Sequence, residues 1–378
     1  MNRNGWLTFI GIYTSETWGL KGIPDSPEGW LYTVAKNKAK DALRRKSLFH
    51  NKIELEIKHK PIYEAEIDID LSVNNIRDSQ LKMLFAVCNP LISEEAQITL
   101  ALQILCGFGI EEIANAFVSN KSTINKRLFR AKEVFKKEAI KLELPPEKAI
   151  LNRLSNVLSI LYLLFNEGYY SRTSQQAIRK DMCWEAMRLL NSLLESNTYN
   201  LPECQALMAL FCFHASRFEA RTNELGEYVL YQEQNHEKWN SELIVKGEYF
   251  LNSSAKGNSI SKYHLEAAIA YWHTRPADNK EKWEQILQHY NMLLQLQYSP
   301  MAALNRTYAF AKVRGKEAAL KEALKIDLKG NHLFHSLVGE LYRGIDPQKV
   351  KEHLQIALSL SKTEAEKKLL QEKLDSLL

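Results

Sequence analysis

"SNKSTINKRLFRAKEVFKK", Ser119–Lys137, decides how this chain is read. From Lys121 onward seven residues are basic (Lys121, Lys126, Arg127, Arg130, Lys132, Lys136, Lys137) and one, Glu133, is acidic. Ile124, Leu128, Ala131 and Phe135 follow at i, i+4, i+7 and i+11, which is one face of an α-helix. Asn120 is placed as an N-cap, its side chain able to accept the backbone N–H of Thr123. The spacing predicts an amphipathic helix that docks by its apolar face and turns a cationic face outward.

For an isolated helix, a merely solvated basic face is the plainer reading. The preceding stretch, "EEAQITLALQILCGFGIEEIANAFVSN", changes it. It predicts a helix over about Glu94–Cys106, a break at Gly107–Gly109, a second helix over Ile110–Phe117 and a three-residue turn. Ile113, Ala114 and Phe117 form the packing face of that second helix, and small Ala114 and Ala116 allow a close crossing. Helix, tight turn, then a helix starting with Ser, Asn, Lys and Arg is the helix-turn-helix arrangement. There the second helix enters the DNA major groove and its N-terminal residues meet base edges.

Composition sets the bounds. A chain of 378 residues implies two or three domains, and 45% apolar residues supply ample cores. "KNKAKDALRRK" (Lys36–Lys46) adds six cations against Asp41, yet the whole chain nets only +5, so the remainder is acidic. Two basic spots on an acidic body suit a polyanion touched at two places. The five cysteines (Cys88, Cys106, Cys183, Cys204, Cys212) lack CxxC spacing and fall in apolar helical patterns, as reduced core residues of a cytosolic protein do. His332 and His335 form the one close histidine pair, a structural or surface pair rather than a metal site. No basic start followed by an apolar block opens the chain, and "VLSILYLLF" (Val157–Phe165) is too short to span a bilayer.

An all-α chain in consecutive parts is expected. Residues 1–47 end in a helix from about Glu28, and 48–77 form a linker acidic at Glu64, Glu66, Asp68 and Asp70. The helix-turn-helix domain takes 78–145, closed by Pro145 and Pro146. A helical extension follows over 146–275, then helical-hairpin repeats resembling tetratricopeptide repeats over 276–378. Breaks are expected at Gly168, Asn200–Pro202, Asn223–Gly226, Gly257–Asn258, Pro276–Asn279, Ser299–Pro300, Gly315, Gly330 and Gly344–Pro347. Ala302, Ala303, Ala309, Ala318 and Ala357 are the small residues where repeat helices would cross, and such stacks present a surface to a peptide or protein partner.

Several segments, in order, resemble the extracytoplasmic-function (ECF) sigma factors of bacterial RNA polymerase, in the subgroup with a long C-terminal helical extension. "GIPDSPEGWLYTVAKNKAKDALRRK" (Gly22–Lys46) is similar to the end of sigma domain 2, and Arg77–Phe135 to sigma domain 4. "LYLLFNEGYY", "MCWEAMRLL", "LMALFCFHASRFEAR", "YHLEAAIAYWH" and "SPMAALNR" resemble recurring segments of the extension. The resemblance implies reading of the promoter −35 element by Lys121, Ser122, Thr123, Asn125, Lys126, Arg127 and Arg130. Ser and Asn suit base edges, Lys and Arg phosphates. It implies contact with the −10 element by Trp30, Tyr32, Asn37, Lys38, Lys40, Arg44 and Arg45, aromatics and cations that suit unstacked bases and a bare backbone. Trp30 fits a plain core aromatic equally well.

The partners so implied are promoter DNA and core RNA polymerase in the cytoplasm, with no membrane, metal, cofactor or catalytic residue of the chain's own. The linker would thread a polymerase channel, and the extension would modulate sigma activity in place of a separate anti-sigma factor. The family's domain 2 begins with further helices, including an acidic clamp-binding one. Met1–Lys21 holds a single acid, Glu16, so weak polymerase binding is expected, from a truncated gene or a start set too far downstream. Asn235, His236 and Asn223 stand where the subgroup usually carries charges, which would weaken networks built there. Asn166, Glu167, His214, Arg217, Glu219, Arg221, Glu233 and Trp239 are expected to tie helices by buried hydrogen bonds rather than to catalyse. The alternative reading is a helical-repeat interaction protein with a residual DNA-binding module, unable to initiate because domain 2 is cut short.

Overall fold

The computed structural model describes residues 81–104, 107–117, 119–138, 147–170, 178–195, 200–223, 229–256, 259–361 and 364–377. The chain divides into two compact units, Met1–Lys82 and Met83–Leu378, and the second holds nearly all the described residues. Among them every regular element is helical, as the all-α expectation has it, and no strand occurs. The helix expected from Glu28, the linker 48–77, Pro145–Pro146 and the break at Gly257–Asn258 lie outside the described residues.

Helical residues 81–87 bury Leu84, Phe85, Ala86 and Val87. The trihelical unit comes next: α1 (Glu94–Ile104), α2 (Ile110–Ala116) and α3 (Lys121–Lys137). Between α1 and α2 Gly107 takes φ +70°, and Phe108 N–H donates to the Leu102 carbonyl (3.0 Å), folding the break over the last turn of α1. At the start of α2 the Glu112 carboxylate accepts the Gly109 N–H, one half of a capping box.

Helix α4 (Glu147–Tyr169) joins this unit to the rest. Buried Gln97 of α1 donates to the carbonyls of Asn89 (2.9 Å) and Ile92 (3.0 Å) and accepts from Asn156 of α4 (2.8 Å). Arg153 of α4 donates to the Phe85 carbonyl (2.9 Å). Gly168, expected to break a helix, lies inside the last turn of α4. A Cβ there would stand 2.8 Å from both the Arg179 carbonyl and Cys183 Sγ, so the glycine serves close approach of the next segment, not a turn.

Helices α5 (Lys180–Leu194), α6 (Pro202–Ala215), α7 (Ser241–Ser254) and α8 (Lys262–His273) follow, with short 3₁₀ turns at Phe218–Ala220, Tyr231–Glu233 and His236–Lys238. Helix α6 is apolar on all sides because α4, α5, α7 and α8 all pack on it. Phe211 of α6 stacks on Phe165 of α4 with centroids 4.1 Å apart. By length and composition α4 could cross a membrane (Lys148–Tyr169), a longer span than "VLSILYLLF" alone. Here Leu154, Val157, Leu158, Leu161, Leu164 and Phe165 are buried by its neighbours.

The last six helices are α9 (Lys280–Leu296), α10 (Pro300–Arg314), α11 (Lys316–Ala323), α12 (His332–Tyr342), α13 (Pro347–Leu360) and α14 (Glu364–Asp375). Each packs on the next, and α10 also reaches α12, the neighbour pattern of stacked hairpins. Their boundaries are written locally. Asn279, Ser299, Asn331 and Asp346 cap helices with their side chains, Pro300 and Pro347 take the first helical position, and Gly315 and Gly344 sit at φ +88°. Ala303, Ala309 and Ala357 are buried at the crossings. Residue 276 marks no gap in packing, since Leu265 and Ile269 of α8 share a core with Trp283 and Ile286 of α9.

Candidate nucleic-acid interface

Helix α3 is positioned by three buried side chains, Ile124, Leu128 and Ala131, with Phe135 half-buried beside them. Asn120 caps it: the backbone is extended (φ −103°, ψ 156°) and Oδ1 accepts from Thr123 N–H at 2.8 Å. With that face docked against α1 and α2, the opposite face has nowhere to go but solvent. Lys121, Ser122, Thr123, Asn125, Lys126 and Arg130 are all exposed, as are Lys132, Lys136 and Lys137.

Arg127 departs from the set. It is half-buried, turned back so that its guanidinium lies 5.1 Å from the Phe117 ring of the preceding turn. Lys121 forms an exposed ion pair with Glu111 of α2 at 3.0 Å, a contact of little energetic weight. Phe129 points out among the cations although the apolar pattern alone would not have selected it. Trp30, Tyr32, Asn37, Lys38, Lys40, Arg44 and Arg45, the expected −10 contacts, lie outside the described residues.

A second concentration of charge lies inside the extension. Arg217, 9% exposed, donates to the Tyr169 hydroxyl (3.2 Å) and lies over the Tyr231 ring at 5.2 Å. Arg221 lies over the Tyr169 ring at 3.9 Å. Lys282, 2% exposed, donates to the Tyr231 hydroxyl (2.7 Å) and the Arg275 carbonyl (2.6 Å), and Tyr231 in turn donates to the His273 carbonyl (3.0 Å).

Burial, and then Arg217 and Arg221, hold His214 well below the usual imidazole range. Burial, Arg217 and Lys282 push His273 down to about 3, and burial brings Lys282 down to about 8. Glu266, bonded to Tyr162, is raised by burial to about 7.

Of the network expected from sequence, His214, Arg217 and Arg221 come together here. Glu219 and Glu233 do not: both are exposed, and Glu219 pairs with Lys180 at 2.5 Å. Tyr169, Tyr231, His273, Lys282 and Glu266 were missed. Lys282 carried a signal, because it stands four residues before Ile286 on the buried stripe of α9.

Cys88, Cys183, Cys204 and Cys212 are buried free thiols, each pushed up to about 12 by burial, and Cys106 lies outside the described residues. His332 and His335 face different partners: His332 approaches Glu366 (3.3 Å), and His335 meets His353 Nδ1 to Nδ1 at 3.0 Å. Among the described residues no three or more His, Cys, Asp or Glu side chains converge as a metal site.

The geometry defines an all-helical protein with a trihelical, outwardly cationic module packed onto a helical body. Over 340 residues the chain is 33% identical to an uncharacterized protein of Rhizobium meliloti (strain 1021), covering 88% of this chain and 79% of the relative, and it belongs to the same family as that protein. Residues 153–255 match a family of unknown function (DUF6596), a span that takes in α5, α6, α7 and most of α4. No solved structure matches.

Proposed function

We propose that the chain is an ECF-type sigma factor acting in the cytoplasm, directing core RNA polymerase to particular promoters. In this reading α3 reads the −35 element, Gly22–Lys46 contacts the −10 element, and the polymerase performs the chemistry. The observation that carries the reading is the solvent-facing stripe of Lys121, Ser122, Asn125, Lys126 and Arg130 on a capped helix held by a docked apolar face. Regulation through the extension is supported by the bonds that tie α4 to the helices before it, Asn156 to Gln97 of α1 and Arg153 to the Phe85 carbonyl of residues 81–87. A ligand or partner that shifts α4 acts on α1 through the Asn156–Gln97 bond.

The test is binding of the full chain to promoter duplexes across a salt series. Replacing both Lys126 and Arg130 by Ala lowers the slope of log K against log[salt] by about 2 and weakens all sequences alike. Asn125→Ala instead loses about 1–3 kcal/mol of discrimination at one or two base pairs. An unchanged slope in the double variant returns these cations to a solvated surface. A second reading, a helical-repeat interaction protein with a residual DNA-binding module, is favoured by the stacked hairpins α9–α14. It predicts duplex binding without promoter-specific transcript from core polymerase.

A further inference from the structure

At 67% exposure Phe129 is the most exposed large apolar side chain among the described residues, and it sits at the middle of the helix richest in cations. It lies one residue past buried Leu128, so about 100° around the axis from the docked face. Ser122 and Asn125 precede it by seven and four residues and share its stripe. The distance along the axis from Ser122 to Phe129 is about 10.5 Å, or about three base pairs at 3.4 Å each. Lys126 and Arg130 flank the stripe on one side, Lys132 and Lys136 on the other, all four exposed, and exposed Glu133, one turn past Phe129, leaves the surround net positive by three.

The core of a protein–protein interface is depleted of charge, whereas Phe129 is surrounded by charged side chains, four cations and the one acid of the helix, Glu133. A polyanion is the partner such a net positive surround accepts. On duplex DNA the apolar group within reach of a major-groove helix is the thymine 5-methyl.

We propose that Phe129 is a specificity-determining residue that packs on a thymine methyl in the major groove, about three base pairs from the pair facing Ser122. This rests on the reading of α3 as a DNA-contacting helix.

The full chain and its Phe129→Ala variant are each used to select from a randomised duplex library. The selected duplex is then remade with dU in place of dT, one position at a time. Deoxyuridine lacks only the methyl, so the parent chain binds about fourfold more weakly at one position, the worth of one buried methyl-sized group. Phe129→Ala ignores that substitution and keeps its salt slope. A parent chain indifferent to dU everywhere overturns the proposal, as does a Phe129→Ala variant that keeps the full dU effect. Loss of core-polymerase affinity in Phe129→Ala with unaltered duplex preference also overturns it and assigns the side chain to a protein contact. A parent chain that selects no duplex removes the DNA reading itself, a result distinct from selection without thymine dependence.

Discussion

On α3, Lys126, Arg130, Lys132 and Lys136 stand in solvent, where water satisfies them and nothing in the fold depends on them. In the extension, Arg217 and Lys282 are 9% and 2% exposed, held by tyrosine hydroxyls, an aromatic face and a backbone carbonyl. The same residue types thus do opposite things. Surface cations are free to meet a polyanion and contribute little to stability. Buried ones are held in place and shift their neighbours' protonation, and the one donor left over, Arg217 Nη1, is shut away from solvent. Burial, not composition, separates a binding surface from a structural strut.

The strongest way to break that contrast is at Lys282. Lys282→Ala strips the Tyr231 hydroxyl and the Arg275 carbonyl of their donor and leaves a cavity, for an expected loss of about 2–4 kcal/mol. Lys282→Met keeps the aliphatic stem and removes the cost of burying a charge, so it loses less than half as much. Lys126→Ala changes stability by under about 0.5 kcal/mol. Urea unfolding of the three variants decides it. A Lys282→Ala chain as stable as the parent would show the buried cluster to be decoration.

The next effect is read in pH. His214 and His273 have folded pKa values below their ordinary 6.5, so the stability they contribute is present above pH 6.5 and lost as pH falls. Glu266 is raised from 4.5 to about 7, so its contribution is present below pH 4.5 and lost as pH rises through 7. Between pH 4.5 and 6.5 the lowered histidines, His214 and His273 with His264 and His353, take up protons in the unfolded chain before the folded one, and Glu266 opposes them by keeping its proton in the folded chain. The histidines outnumber the one opposing carboxyl, so stability falls as pH drops through this window. Glu266→Gln removes the opposing group and steepens the fall by up to about 1.4 kcal/mol per unit. Urea midpoints at four pH values across this window measure it, and an unaltered slope in Glu266→Gln would show that the Glu266 carboxyl is as ionised in the folded chain as in the unfolded one.

Much of this was legible in the sequence, for local reasons. Asn120, Asn279, Ser299, Pro300, Asp346 and Pro347 announce helix starts because capping needs only the residues of one turn. The docked face of α3 was legible because its three buried residues repeat with the helical period. Gly168 misled because a glycine that admits a neighbouring segment looks, in sequence, like one that makes a turn. The turn of Arg127 towards Phe117 is not readable from its place on the helix, because that ring comes from the preceding turn of chain. The interior cluster was half legible: His214, Arg217 and Arg221 lie close in sequence, but Tyr231, His273 and Lys282 join them only when α8 and α9 fold back.

The smallest effect concerns Asn120, the cap of α3, which also lies at the end of the helix proposed to meet the duplex. Asn120 caps the helix through Thr123 N–H, so Asn120→Ala loses about 1 kcal/mol and Asn120→Gly only a few tenths. Hydrogen exchange at the first turn of α3 measures the local share of that loss. Asn120→Asp keeps the cap, and its charge interacts favourably with the helix N-terminus, so stability holds or rises slightly. That same terminus is where a phosphate would be received, and a fixed carboxylate there repels it. Asn120→Asp is therefore expected to fold as well as the parent and bind duplex DNA more weakly, with Asn120→Ala the reverse in emphasis. If Asn120→Asp binds as tightly as the parent, the N-terminus of α3 does not face the backbone of the duplex, and the orientation of the helix in the groove must be redrawn.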